Sequence, residues 1–106
     1  MNIGLNHFRD LCYLRSYNAG WWDDLDRNEL TNKLLRATKI GLIHSEVSEM
    51  LEGLRKGNQD DHLPHRTMEE VECVDILIRV FDYAGHRGFD LDTIIKEKLN
   101  YNTLRS

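Results

Sequence analysis

One proline, two cysteines and no long apolar run set the first limits on a chain of 106 residues. Pro64, the lone proline, stands in the polar stretch Gly57 to Arg66, so the apolar patterns on either side meet no helix breaker. Cys12 and Cys73 make no CxxC pair and no Cys/His cluster at zinc spacing, which removes a zinc site and a disulfide framework. With apolar residues beside them, both are expected as buried thiols. The N-terminal stretch MNIGLNHFRD lacks a cationic region followed by an apolar run, and no segment approaches the length that spans a bilayer. The expectation is a soluble protein of the reducing cytoplasm with no membrane partner. Internal repeats, low-complexity tracts and Gly/Ser linkers are missing too, so residues 1–106 read as a single domain. Positive charge is short as well. The formal net charge of -4 has the wrong sign for gripping nucleic acid through its phosphates. A small polyanion stays compatible where a divalent cation stands between acidic side chains and phosphates, because the ion reverses the local field.

What is present is a globular balance, 41% hydrophobic and 30% charged, with enough apolar surface for a core. Between Thr31 and Arg55, the residues Ile43, Val47, Met50, Leu51 and Leu54 keep the i, i+4, i+7, i+8, i+11 spacing of one helical face. Arg55 and Lys56 suit the negative end of that helix, and Gly57 suits a left-handed cap. Beyond the loop, Thr67 and Glu70 have capping-box spacing, and the apolar run that follows predicts a helix to a stop at Gly85. Asp90 is a good N-cap for a further helix through Leu91, Ile94, Ile95 and Leu99. An earlier helix covers roughly Leu5 to Tyr17, with Gly20 to Asn28 (GWWDDLDRN) as a second loop. Four helices and no strand pattern predict an all-α, four-helix-bundle-like fold.

The segment Met68 to Ala84 is apolar nearly all round, so it requires burial on two sides and points to partner subunits. Its exception is a narrow stripe, Glu72, Asp75, Arg79 and Asp82, which faces either solvent or a polar cavity. Taken alone, the solvated face is the ordinary reading. The preceding helix repeats the feature, because Glu46 and Glu49 are i, i+3 neighbours at the flank of its apolar face. Two such pairs meeting on antiparallel helices repel and raise their own pKa values unless cations neutralise them, so convergence implies bound metal. All-oxygen ligands select magnesium, manganese or calcium over zinc, and magnesium takes phosphate oxygens as further ligands. The chemistry this suggests is hydrolysis of a phosphate ester or anhydride. Lys98, Asn102 and Arg105, at i, i+4, i+7 of the last helix, have the spacing to hold a polyphosphate, although cations near a helix C-terminus are common without a ligand.

In order along the chain, Glu46-Val-Ser-Glu49, a polar loop, Glu72-Cys-Val-Asp75 and Lys98-Leu-Asn-Tyr101-Asn102-Thr-Leu-Arg105 resemble the MazG-like nucleoside triphosphate pyrophosphohydrolases of the all-α NTP pyrophosphatase superfamily. The segment Asp60 to Arg66 (DDHLPHR) also looks like the loop of small MazG-like proteins. The resemblance spans about two thirds of the chain, and the first 30 residues carry little of it. It implies a helical bundle assembled as a homodimer or homotetramer that hydrolyses (d)NTPs to (d)NMPs and pyrophosphate. Magnesium, with manganese as a substitute, would be held by Glu46, Glu49, Glu72 and Asp75. Lys98, Asn102 and Arg105 would contact the triphosphate. If one carboxylate acts as the base that activates water, Glu49 is the choice, although spacing does not separate a metal-bridging glutamate from a general base. Nucleotide-pool control or removal of aberrant nucleotides would follow.

An alternative of another class is a catalytically silent helical oligomer that binds nucleotides or a protein, its carboxylates serving surface ion pairs. A third reading is a relative specialised for dUTP or phosphoribosyl-ATP. Trp21 and Trp22 have the chemistry to stack a base, yet adjacent tryptophans more often seal a core edge or interface. His44, His62, His65 and Lys39 are expected as solvated residues, Tyr101 as a packing residue, and Arg79 as the partner of Asp75 or Asp82.

Overall fold

The structure, a computed structural model, describes residues 4–105. Among these are four α-helices, α1 (Leu5–Asn18), α2 (Glu29–Lys56), α3 (Met68–Arg87) and α4 (Leu91–Leu104). No strand occurs among the described residues; one antiparallel bridge, Gln59 to Thr67, closes the loop between α2 and α3. Among the described residues, no helix is long and apolar enough to cross a membrane. Residues 1–3 of the N-terminal stretch lie outside the described residues.

Local chemistry sets the helix ends. Asn28 caps α2 by accepting from the Thr31 amide, and Gly57 ends it in the left-handed conformation at φ 67°. Thr67 and Glu70 form the capping box of α3. That helix does not stop at Gly85 as the sequence predicts but runs on to Arg87, with Gly88 as its left-handed cap. Gly85 serves another purpose. A Cβ there would press on Tyr13 and sit 2.9 Å from the Arg9 carbonyl oxygen, so its hydrogen is what lets α1 cross α3 closely.

Helix α3 is the centre of the molecule, with α1 and α2 packed against it and α4 chiefly against α1. Both flanking helices run antiparallel to α3. On one side Ser16 meets Asp82 while Arg9 reaches the Phe89 carbonyl; on the other, Gly53 lies against Met68 while the charge of Arg36 acts on His86. The result is a flat layer of 42 × 41 × 23 Å. Its radius of gyration is 16.1 Å, against about 13 Å for a compact domain of this length.

A layer this thin encloses little. Trp22, 2% exposed, and Ala84 are the buried apolar residues of the described chain. Trp22 stacks on His86 at 4.0 Å and donates from Nε1 to Asp82 Oδ1 at 3.0 Å, while Ser16 Oγ donates to the other Asp82 oxygen at 2.9 Å. Trp22 and Asp82 therefore clamp the first loop to α1 and α3. The expectation of two buried thiols fails: Cys12 is half-buried and Cys73 exposed, because the apolar side of α3 that carries Cys73 is left open. Val74, Leu77 and Ile78 of α3 and Val47, Leu51 and Leu54 of α2 are likewise exposed.

Candidate metal centre

Glu46 comes from the middle of α2, Glu72 and Asp75 from the first half of α3. Gly53 decides how close they come, since a Cβ there would stand 2.9 Å from the Glu69 amide nitrogen. Two turns before that contact on α2, and one turn after it on α3, the carboxylates converge. Glu46, Glu72 and Asp75 each present an oxygen within 4.8 Å of the others.

Glu46 and Glu72 are 9% and 8% exposed, so neither charge is relieved by bulk water. Arg79 Nε donates to Glu46 Oε1 at 2.9 Å, from α3 to α2. The hydrogen shared with Glu72, and then Arg79, hold Glu46 below the usual carboxylate range despite its burial. Glu72 moves the other way. The hydrogen shared with Glu46, then burial, then the charges of Glu46, Glu49 and Asp75 push it up to about 8. Burial, with the charge of Glu46 next, raises Asp75 as well. Glu72 Oε2 is buried and has no hydrogen-bond partner among the described residues, which for a native buried oxygen is uncommon and calls for a counterpart.

An all-oxygen donor set, a retained proton and an orphaned buried oxygen are what a divalent cation would resolve at once. The residues present fit such an ion. Glu49 sits on the exposed edge, near enough to bond with Glu46 and to raise Glu72, but outside the tight trio.

The residues expected to contact phosphate are elsewhere. Lys98 and Asn102 lie on the exposed part of α4 and Arg105 at its C-terminal cap, with Lys98 and Arg105 over the Tyr101 ring at 4.8 and 5.7 Å. Tyr101, expected to pack, is 53% exposed and serves as that platform. His44, His62 and His65 are exposed, as expected.

Several residues near the centre were not legible from spacing. Arg79 pairs with Glu46 across the helices rather than with Asp75 or Asp82 on its own stripe, and Asp82 is occupied by Ser16 and Trp22. Trp21 lies under the Arg79 guanidinium at 4.7 Å and the Lys39 ammonium at 4.4 Å, so the half-exposed Lys39 rests its charge on a ring that borders the centre. Asp60, whose side chain accepts from the His62 and Leu63 amides, adds its charge to the field on Asp75. A polar loop that opens on two aspartates was the only signal for the last of these. Family models, curated proteins and solved structures give no match to this chain.

Proposed function

We propose that the protein is a magnesium-dependent nucleoside triphosphate pyrophosphohydrolase of MazG-like type, converting (d)NTPs to the monophosphate and pyrophosphate. The observation that carries this reading is the Glu46, Glu72 and Asp75 trio with its unpartnered Glu72 oxygen. These three residues would hold the ion, with Glu49 beside them. When bound, it supplies neutralisation of charge on the phosphate oxygens and a more acidic water.

The chain's own groups do the rest. Glu49, exposed at the rim, accepts the proton of the attacking water. Arg79 holds Glu46 in its ligating orientation through the 2.9 Å bond. Lys98, Asn102 and Arg105 bind the triphosphate and stabilise the departing pyrophosphate. The net charge of -4 accords with a substrate brought in as its metal complex rather than as a bare polyanion.

The Arg79 to Glu46 pair favours a second reading, a silent helical oligomer whose carboxylates serve an internal ion-pair network. One assay separates the two: pyrophosphate against orthophosphate release from a panel of NTPs and dNTPs, with Mg²⁺ or EDTA, for the wild type, Glu49→Gln and Asp75→Asn. Magnesium-dependent pyrophosphate that disappears in both variants, with helicity intact, is expected. No pyrophosphate from any nucleotide would leave the silent oligomer as the account.

A further inference from the structure

Arg79 uses only part of its guanidinium. Nε donates to Glu46 Oε1 at 2.9 Å, and among the described residues Nη1 and Nη2 find no hydrogen-bond acceptor. Carboxylates stand close enough to have served, Asp75 one turn earlier on α3 and Asp82 one turn later. Neither bonds to Arg79, and Asp82 is taken by Ser16 and Trp22. A guanidinium presents its donors as a planar fork that matches two oxygens of one carboxylate or phosphate. Here the inner donor is fixed to Glu46 and the outer fork is left over.

The surroundings hold that fork still and keep it positive. The guanidinium lies over the Trp21 ring at 4.7 Å. Trp21 is anchored in turn by its neighbour Trp22, clamped on Asp82 and stacked on His86. The same Trp21 ring carries the Lys39 ammonium at 4.4 Å, and Lys39 stands on α2 two turns before Glu46. Together the two distances put the charges of Arg79 and Lys39 within about 9 Å of each other. Lys39 forms no ion pair among the described residues. A half-used guanidinium and an unpaired ammonium on one ring make a positive rim beside the acidic centre.

The position of the rim selects its ligand. Glu46, Asp75, Arg79 and Trp21 line one trough of about 860 Å³ between α1 and α3, with the exposed Arg15 also in its wall. Because Nε is bonded to Glu46, an anion on the fork lies beside the carboxylates that would hold the ion. A phosphate has oxygens enough to take the fork with two and to reach that ion with another; a carboxylate has only the two.

We infer that Arg79 is a substrate-contact residue of the pyrophosphohydrolase site, its Nη1 and Nη2 taking a phosphate of the nucleoside triphosphate, with Trp21 as the positioning residue that aims them. The inference rests on the function proposed above. Each chain then grips phosphate at its own carboxylates, apart from Lys98, Asn102 and Arg105.

Arg79→Lys tests this, since it keeps a positive charge beside Glu46 and loses the fork. Calorimetric titration with Mn²⁺ alone, and then with Mn²⁺ and inorganic imidotriphosphate, reads metal and phosphate binding separately; the P–N–P links resist hydrolysis and no base has to match. The variant is expected to hold Mn²⁺ as wild type does and to bind imidotriphosphate about 10- to 100-fold more weakly, the loss of a charge-assisted bidentate contact. Unchanged imidotriphosphate affinity overturns the inference, as does a loss matched by an equal loss of Mn²⁺, because Arg79 is then a brace for Glu46 and nothing more. A wild type that binds no imidotriphosphate with Mn²⁺ also overturns it. Trp21→Leu, at an exposed position, is expected to show the same phosphate-selective loss, and Trp21→Phe, which keeps a ring face, to restore most of it. Should Arg79→Lys fail to fold, this pair decides: two Trp21 variants that bind imidotriphosphate like wild type overturn the inference. If the wild type releases no pyrophosphate from any nucleotide yet binds imidotriphosphate through Arg79, the hydrolase reading fails and the phosphate seat stands.

Discussion

Glutamine in place of Glu72 keeps the volume of the side chain and fixes it in a neutral state. In the metal-free protein the Glu72 carboxyl is pushed up to about 8 by its neighbour Glu46, by burial and by the surrounding charges. The unfolded chain releases that proton near the ordinary glutamate value of about 4.3. Below that value both states are protonated and the contribution to stability is fully present. Between it and about 8 the folded state alone keeps the proton, so stability falls as pH rises, by about 1.4 kcal/mol per pH unit for one proton. From pH 5.5 to 7.5 the wild type in EDTA should therefore lose about 2.5 kcal/mol relative to Glu72→Gln. Urea unfolding followed by circular dichroism at several pH values measures this difference, in which titrations common to both proteins cancel. Added Mg²⁺ should raise the wild-type midpoint most at pH 7.5, where the proton is easiest to displace, and leave the variant nearly unmoved. Parallel pH curves for the two proteins in EDTA would refute the reasoning, because Glu72 would then be no more protonated in the folded state than in the unfolded one.

Arg79→Met strips Glu46 of its cross-helix donor. With Arg79 26% exposed, the expected loss is about 1–2 kcal/mol in EDTA, reduced by Mg²⁺ as the ion takes over the neutralising charge; equal losses with and without the ion would count against a metal at this position. Gly53→Ala should cost about 1–3 kcal/mol of stability, because the Glu69 backbone it meets is fixed by the capping box, and should weaken Mn²⁺ binding by spreading α2 from α3. A variant as stable as wild type with unchanged Mn²⁺ affinity would show that Gly53 does not set the approach. Trp22→Phe removes the donor to the buried Asp82 and is expected to lower stability by about 1–3 kcal/mol in urea while leaving Mn²⁺ affinity unchanged.

Helix positions were largely legible because they depend on neighbours in sequence: the capping box at Thr67 and Glu70, the cap at Gly57 and the N-cap at Asp90 are all where the spacing put them. Gly85 misled because a glycine ends a helix or admits a neighbour, and only the position of Tyr13 distinguishes the two. The i, i+3 spacing of Glu46 with Glu49 and of Glu72 with Asp75 marked the residues that surround the centre. It could not rank them, since how deep each oxygen lies depends on where α2 and α3 touch, and that is set by Gly53. Arg79 was assigned to its own helix because intrahelical pairing is the only pairing a single-helix pattern displays. The exposure of Cys73 and its apolar neighbours was hinted at by a helix apolar all round, but a wheel does not say which side stays open.

Two departures from ordinary folding economy stand side by side in this molecule. A buried oxygen lacks a partner and a carboxyl keeps its proton near neutrality, both at the junction of α2 and α3. An apolar trough with Glu46 and Asp75 in its lining stays open to water. Local agreement between propensity, packing and polar satisfaction is the rule for a sequence that specifies one structure, and breaches of it gather where function is served. A cation at the carboxylates would resolve the first breach, and apolar side chains from outside the single chain would cover the second. Because the trough borders the carboxylates, covering it also removes water from around them and strengthens every charge interaction within. The two requirements are thus coupled: a chain that pairs should hold its ion more tightly, and ion binding should tighten the pair by the same factor. Dilution series followed by light scattering, with Mg²⁺ and with EDTA, read that coupling directly. A dissociation constant that does not change with the ion would mean that the trough and the carboxylates are neighbours without being partners.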